Sequence, residues 1–283
     1  MRARMNRLFA ADGRCFDVAI DHGLFAEPTF LSGIEDMRRA VEVVAQAAPD
    51  AVQLSPGQAH WLQDIPGPAK PALVLRTDIA NVYGRDAADE GQYLFSQLAE
   101  RAVDQAVVLD AACIVVNLLL LPGHPQLYHA CLRNVCELRA ACTQAGMPLM
   151  VEPLAMRPGR GGYAVNGDLS TIVTLARQAV ELGADVIKAD PSDNIEEYGA
   201  VVQAALGHPL LVRGGGRAGD AEILERTAAL MAHGISGIVY GRNVIQHPSP
   251  AAMTRALMAV VHDGATASAA LALLQPEGDG ADG

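Results

Sequence analysis

The sequence predicts a single (β/α)8 TIM barrel of the α/β class on three observations. Short apolar runs alternate with amphipathic segments eight times, polar residues gather at the ends of those runs, and the composition is 51% hydrophobic but only 4% aromatic, so aliphatic side chains must build the interior. The length, 283 residues, matches the ~250 typical of one such barrel. Residues 1–275 are read as the barrel domain and the Gly/Asp-rich residues 276–283 as a disordered tail with nothing to bury.

The strand candidates are Phe16–Asp21, Ala51–Ser55, Ala72–Arg76, Cys113–Asn117, Pro148–Glu152, Asp185–Ala189, Leu210–Arg213 and Gly237–Tyr240. Helical periodicity fills 34–48, 57–64, 97–109, 125–144, 168–182, 193–206, 219–233 and 248–262, with Asp168, Ser192 and Ser249 as start signals. An open doubly wound sheet uses the same right-handed units, so alternation alone does not choose between them. The polar residues do: Asp21, Ser55, Asn117, Glu152, Lys188 and Arg213 each fall at or beside the C-terminal end of a strand, where barrels place their active sites.

Charge and cysteine content narrow the function. Lys plus Arg number 21 and Asp plus Glu 32, so 21 − 32 = −11, which argues against nucleic acid or an anionic membrane as partner. Apolar runs such as Ile114–Leu121 fall far short of the ~20 residues that span a bilayer, and the Arg-rich start is unlike a signal peptide, so a cytoplasmic protein is expected. The cysteines Cys15, Cys113, Cys131, Cys136 and Cys142 contain no CxxC pair and are expected to be buried free thiols.

In GADVIKADPSD, period-two alternation puts Lys188 on the face of Val186, toward the barrel axis, with Ile187 and Ala189 toward the helices. A poorly solvated lysine favours its neutral amine, which can attack a carbonyl. A structural ion pair with Asp21 or Glu152 explains the same placement, and spacing leaves both readings open. The seventh strand runs into Arg213-Gly214-Gly215-Gly216-Arg217, where glycines let backbone N–H groups converge on an anion. The eighth ends in Tyr240-Gly241-Arg242-Asn243, in the loop region where barrels often hold phosphate. The same features fit a plain flexible turn and a surface ion pair.

The segments RMNRLFAADGRCFDVAIDHGLF, GADVIKADPSD, VRGGGR and GIVYGRNVIQ resemble the class I (Schiff-base) aldolase family that contains archaeal-type fructose-bisphosphate aldolase, deoxyribose-phosphate aldolase and tagatose-bisphosphate aldolase; the resemblance spans residues 5–262. It implies Lys188 as the imine-forming residue, Asp21 of the DHG as a catalytic carboxylate, and a phosphate site at Arg213, Gly214, Gly215, Gly216, Gly241 and Arg242. It also implies a small phosphorylated carbonyl substrate, no cofactor and a homo-oligomer. Family members of the fructose-bisphosphate type carry a proton-transferring tyrosine after the fifth strand. Here Arg157-Pro158 stands in its place and Tyr163 follows the glycines, so Glu152, on the inward face with Met150, is preferred over Tyr163 as the proton carrier.

His22, Arg76, Asp78, Asn117 and Arg157 are candidate substrate contacts. The segment GRGGYA at 159–164 fits a dinucleotide fingerprint in letters, but its glycines do not open a helix, and the histidines suggest no metal-ligand set, so neither nicotinamide nor metal is expected. The expected activity is metal-independent carbon–carbon cleavage or formation of a phosphorylated ketose through a lysine imine, with release of a ketone phosphate such as dihydroxyacetone phosphate. Schiff-base fragment transfer or a thiolase reaction on a phosphorylated dicarbonyl or aminosugar precursor is the alternative, and a non-catalytic sugar-phosphate sensor the second.

Overall fold

A computed structural model describes residues 1–67, 69–84, 87, 92–159 and 162–275; the expected tail lies outside them. The described residues form eleven strands: β1 (Cys15–Ala19), β2 (Ala51–Leu54), β3 (Ala72–Arg76), β4 (Asp78–Ala80), β5 (Ser96–Leu98), β6 (Cys113–Leu120), β7 (Leu149–Gly159), β8 (Gly162–Val165), β9 (Val186–Ala189), β10 (Leu210–Arg213) and β11 (Gly237–Tyr240). Eight of them, β1, β2, β3, β6, β7, β9, β10 and β11, pair in parallel around a ring that β1–β11 and β6–β7 close, so the expected barrel is present.

Period-two alternation divides each strand between two cores. Cys15, Ala51, Val74, Cys113, Val115, Met150, Val186, Leu211 and Val239 fill the axis, while Phe16, Val18, Val52, Leu75, Ile114, Ile187, Val212 and Ile238 pack outward against the helices. The helix Leu169–Glu181 illustrates the outer layer. Asp168 accepts a hydrogen bond from the Thr171 N–H at 2.9 Å, as the start signal implied, and Ile172, Leu175, Ala176 and Ala179 recur at helical spacing on its buried stripe. The helix Arg2–Leu8, not foreseen from its Arg-rich sequence, closes the N-terminal end of the barrel with Leu8, Met5 and Phe9. Gly237 sits where β11 meets β1, at φ +142°, and a Cβ there would lie 1.8 Å from the Cys15 carbonyl oxygen, so only glycine lets the ring close.

Three departures from expectation bear on the site. β6 and β7 stay paired as far as Leu120 opposite Ala155, and β7 continues to Gly159 because it turns back on β8; Asn117 and Glu152 therefore lie mid-strand rather than at strand ends. Residues 97 and 98, assigned by sequence to a helix, belong to β5, which pairs antiparallel with β4, and the helix begins at Ala102. Ser192 does not start a helix, because its hydroxyl donates to the Asn194 carbonyl and a 3-10 turn precedes the helix Gly199–Ala204. Cys15, Cys113, Cys131 and Cys142 are buried free thiols, whereas Cys136 is exposed. Among the described residues, no helix is long and apolar enough to cross a membrane.

His262 ties the last turn of the helix Pro250–His262 to the barrel floor. Its Nδ1 and Nε2 each lie 2.8 Å from a carboxylate, Asp12 and Asp50, and Asp50 also accepts from the Phe16 N–H of β1. The hydrogen bond to Asp50 leads the causes that raise the His262 pKa from 6.5 to about 9, against partial desolvation. Its folded pKa lies above the unfolded value, so the stability it contributes is complete below pH 6.5 and lost as pH rises through 9. The expected result is a melting temperature that falls between these pH values by the equivalent of about 1–2 kcal/mol, a figure reduced for solvent screening. In His262→Gln that fall should shrink; an unchanged pH dependence in the variant would show that the bridge has no such role.

Candidate active site

The C-terminal mouth of the barrel holds a buried charge network centred on Arg76, the last residue of β3. Its Nε donates to Asp21 Oδ2 at 2.7 Å, Nη2 to Glu152 Oε2 at 2.6 Å, and Nη1 to Asp78 Oδ1 at 3.3 Å. All four side chains are at least 95% buried, so each carboxylate depends on this guanidinium for its charge balance. Asp78 is held from behind: its Oδ2 accepts from the Asn117 N–H at 3.2 Å and from Asn117 Nδ2 at 2.9 Å. Asp78 and Asn117 were candidate substrate contacts; the structure places both beneath the cavity lining, where they orient Arg76.

Lys188, on β9, points along the axis as the alternation required. Its Nζ lies 3.0 Å from Glu152 Oε2 and donates to Gln53 Oε1 at 3.2 Å; Gln53 in turn donates to Asp21 Oδ2 at 2.7 Å. Lysine, glutamine, arginine and two carboxylates thus form one closed circuit, and the predicted trio of Asp21, Glu152 and Lys188 comes together in it. Burial pushes the Glu152 carboxyl up, but Lys188 and then Arg76 outweigh it and hold its pKa down to about 2. The same opposition, burial against Arg76 and then Lys188, leaves Asp21 lowered. Glu152 is therefore a carboxylate at neutral pH, within reach of the lysine's proton.

Asp17 lies deeper on β1, and sequence reasoning passed over it. Neither carboxylate oxygen has a hydrogen-bond partner among the described residues, and burial pushes its pKa up to about 7 against the pull of Lys188. A single polar letter inside the apolar run of β1 was the available signal; Gln53 in β2 carried the same one.

His22 is half-buried with its Nδ1 enclosed, and desolvation lowers its pKa to about 4 despite neighbouring Asp21, so its imidazole is neutral at neutral pH. It stands edge-on to Phe30 at 5.7 Å, and its ring passes so close to Gly241 that a Cβ there would lie 2.2 Å from Cε1. Gly241 is required for this contact as much as for the loop it opens.

On the far wall Arg213 leaves the end of β10 and pairs with Asp190, whose other oxygen accepts from the Ala155 N–H at 3.0 Å. The Arg213 Nη2 has no hydrogen-bond partner among the described residues. The glycine loop is pinned by its carbonyls: Arg226 donates to Gly214 at 2.6 Å, Arg242 to Gly215 at 3.1 Å and Asn243 to Gly216 at 3.3 Å. The Arg242 guanidinium stacks over Phe30, 4.7 Å from its centroid. Two arginines and a glycine loop thus converge at one rim.

Lys188, Glu152, Asp21, His22, Arg76, Arg213, Gly214, Gly215, Gly241 and Arg242 line one cavity of about 60 Å³. A wider outer cavity, about 690 Å³, shares Arg213, Arg242, Phe30 and Tyr83 with it and is lined further out by Gly216, Tyr163 and Glu27. The sequence reading missed Tyr83. It lies in the segment between β4 and β5, with its ring 4.8 Å from Phe25 and 5.6 Å from Phe30. Arg157 stands exposed on the β7–β8 arm and lines neither cavity. Tyr163 reaches only the outer one and meets His124 edge-on at 6.0 Å. No group of three or more His, Cys, Asp or Glu suited to a metal ion occurs among the described residues.

Known proteins share this architecture. The chain is 31% identical over 270 residues to 2-amino-3,7-dideoxy-D-threo-hept-6-ulosonate synthase of Halobacterium salinarum, covering 95% of this chain and 94% of that protein. It is 28% identical to 3-hydroxy-5-phosphonooxypentane-2,4-dione thiolase of Yersinia pseudotuberculosis, over 98% of this chain and 87% of the other. The crystal structure of an archaeal fructose 1,6-bisphosphate aldolase superposes with a TM-score of 0.74 at 23% identity, covering 93% and 99% of the two chains, a likeness of fold. The family model for DeoC/LacD family aldolases matches residues 15–247, and the chain belongs to that family.

Proposed function

We propose that the protein is a class I aldolase that forms an imine between Lys188 and the ketone of a small phosphorylated ketose. The observation that carries the reading is the position of the Lys188 amine, 3.0 Å from the Glu152 carboxylate, in a cavity rimmed by Arg213, Arg242 and the glycine loop.

Each residue then has a step. Glu152 accepts the proton that the ammonium must lose before its nitrogen attacks the carbonyl carbon. The same carboxyl returns the proton to the carbinolamine hydroxyl, which leaves as water and creates the iminium. The iminium draws the electron pair of the breaking carbon–carbon bond, the distal hydroxyl proton passes to a carboxylate, Glu152 or Asp21, and the aldehyde fragment departs. Arg76 keeps both carboxylates ionised between turnovers. The phosphate end binds between Arg213, whose Nη2 is unpartnered among the described residues, and Arg242, with Gly214, Gly215, Gly216 and Gly241 admitting its oxygens close to the backbone.

The outer cavity favours a second reading on the same imine: its volume accommodates an acceptor, as transfer of a fragment or an acyl group would need. The two separate by product. Dihydroxyacetone phosphate supplied with a panel of aldehydes should give new phosphorylated ketoses by ³¹P NMR, unaffected by EDTA. Turnover only of a phosphorylated dicarbonyl with a thiol acceptor would sink the aldolase reading and favour the transferase.

A further inference from the structure

Gln53 stands at the Lys188 nitrogen without being able to exchange a proton with it. Its side chain, fully enclosed on β2, bridges Lys188 Nζ, 3.2 Å from Oε1, and Asp21 Oδ2, 2.7 Å from Nε2. The chemistry of these two neighbours fixes which end of the amide is which. Despite burial, Arg76 and then Lys188 hold Asp21 as a carboxylate, which only accepts, so the amide NH2 must face it and the carbonyl oxygen must face Lys188. This polarity matters once the ammonium has lost a proton. An amide N–H turned toward the amine would cap its lone pair, whereas Oε1 accepts one of its N–H groups and leaves the lone pair free to attack a carbonyl.

We propose that Gln53 is a catalytic residue acting at the Lys188 nitrogen, its Oε1 accepting an N–H from the ammonium, then from the amine, and finally from the iminium. The inference rests on the imine reading of Lys188 and deepens it. Of the three ammonium hydrogens, two leave in the water formed from the carbonyl oxygen and one stays on the iminium nitrogen. Glu152 carries one of the departing pair, and the other passes from nitrogen to oxygen as the carbinolamine forms. While Glu152 delivers its proton it is turned to the leaving hydroxyl. Gln53 Oε1 is then the acceptor left for the retained N–H, since Glu152 and Gln53 are the two polar partners of Nζ among the described residues. Gln53 itself neither gains nor loses a proton, and Asp21 orients the nucleophile through it.

The probe is dihydroxyacetone phosphate with cyanoborohydride, which reduces an iminium but not a ketone, so the initial rate of adduct formation on Lys188 follows the iminium. Gln53→Met keeps the unbranched stem and loses the oxygen; its rate should fall about 10–100-fold, the scale of one hydrogen bond to a charged group. Its melting temperature and its affinity for inorganic phosphate, read by calorimetry, should change little, because Asp21 and Glu152 both keep Arg76. Gln53→Glu, whose acid form offers the same acceptor to Nζ and one hydrogen to Asp21, should recover most of the rate in mildly acidic buffer, where Gln53→Met should not. An undiminished rate in Gln53→Met, a loss that follows its melting temperature or phosphate affinity down, or no recovery in Gln53→Glu would overturn the role of Gln53 alone. No adduct in the wild type would refute the imine reading itself.

Discussion

Replacing Lys188 with methionine is expected to lower turnover at least about 10⁴-fold, the scale of losing a covalent nucleophile, with little effect on folding. The two effects separate because of the wiring around the lysine. Glu152 shares its Oε2 between Lys188 and Arg76, the latter at 2.6 Å, so removal of the amine leaves the carboxylate paired. Methionine matches the length of the aliphatic stem and fills the axial space above Val186. Steady-state kinetics and a thermal melt decide the matter. Residual activity within tenfold of wild type would mean that the amine is only an ion-pair partner, the reading that spacing in the sequence left open.

Arg76→Met should do the reverse, damaging the fold first. The substitution strands Asp21, Asp78 and Glu152 in a site at least 95% buried, with Lys188, beside Glu152, the one cation still in direct contact with any of them among the described residues. Breaking a buried pair by removing one partner costs about 3–5 kcal/mol, or a drop of roughly 10 °C in melting temperature for a chain of this size. Arg76→Lys should recover little, because one ammonium cannot reproduce three divergent N–H contacts. A melting temperature within 2–3 °C of wild type, in the range where about 1 kcal/mol is measured, would show that water or protonation relieves the carboxylates and that the hub is not structural.

The barrel was legible because its strands are short aliphatic runs whose polar members repeat at period two. Phe16, Val18, Ile187 and Ala189 announce an outward face, and Lys188 therefore an inward one. The extension of β7 to Gly159 was not legible, since it depends on pairing with β8, a partner that nothing in MRPG specifies. Site membership followed the same division. Asp21, Glu152 and Lys188 were found from strand ends and resemblance, but the function of Arg76 as their common partner requires carboxylates from three separated segments to meet at one guanidinium. Arg157 looked eligible beside its proline, yet the arm carries it into solvent. Tyr83 gave no signal: it belongs to no periodic element, and only the aromatic contacts with Phe25 and Phe30 bring it over the lysine's cavity.

Borohydride trapping with dihydroxyacetone phosphate, read by peptide mass spectrometry, tests the central claim most directly. The account predicts a mass increase confined to the peptide bearing Lys188 and absent from Lys188→Met. No adduct in the wild type, under conditions where binding of the same ligand is demonstrated by calorimetry, would contradict it.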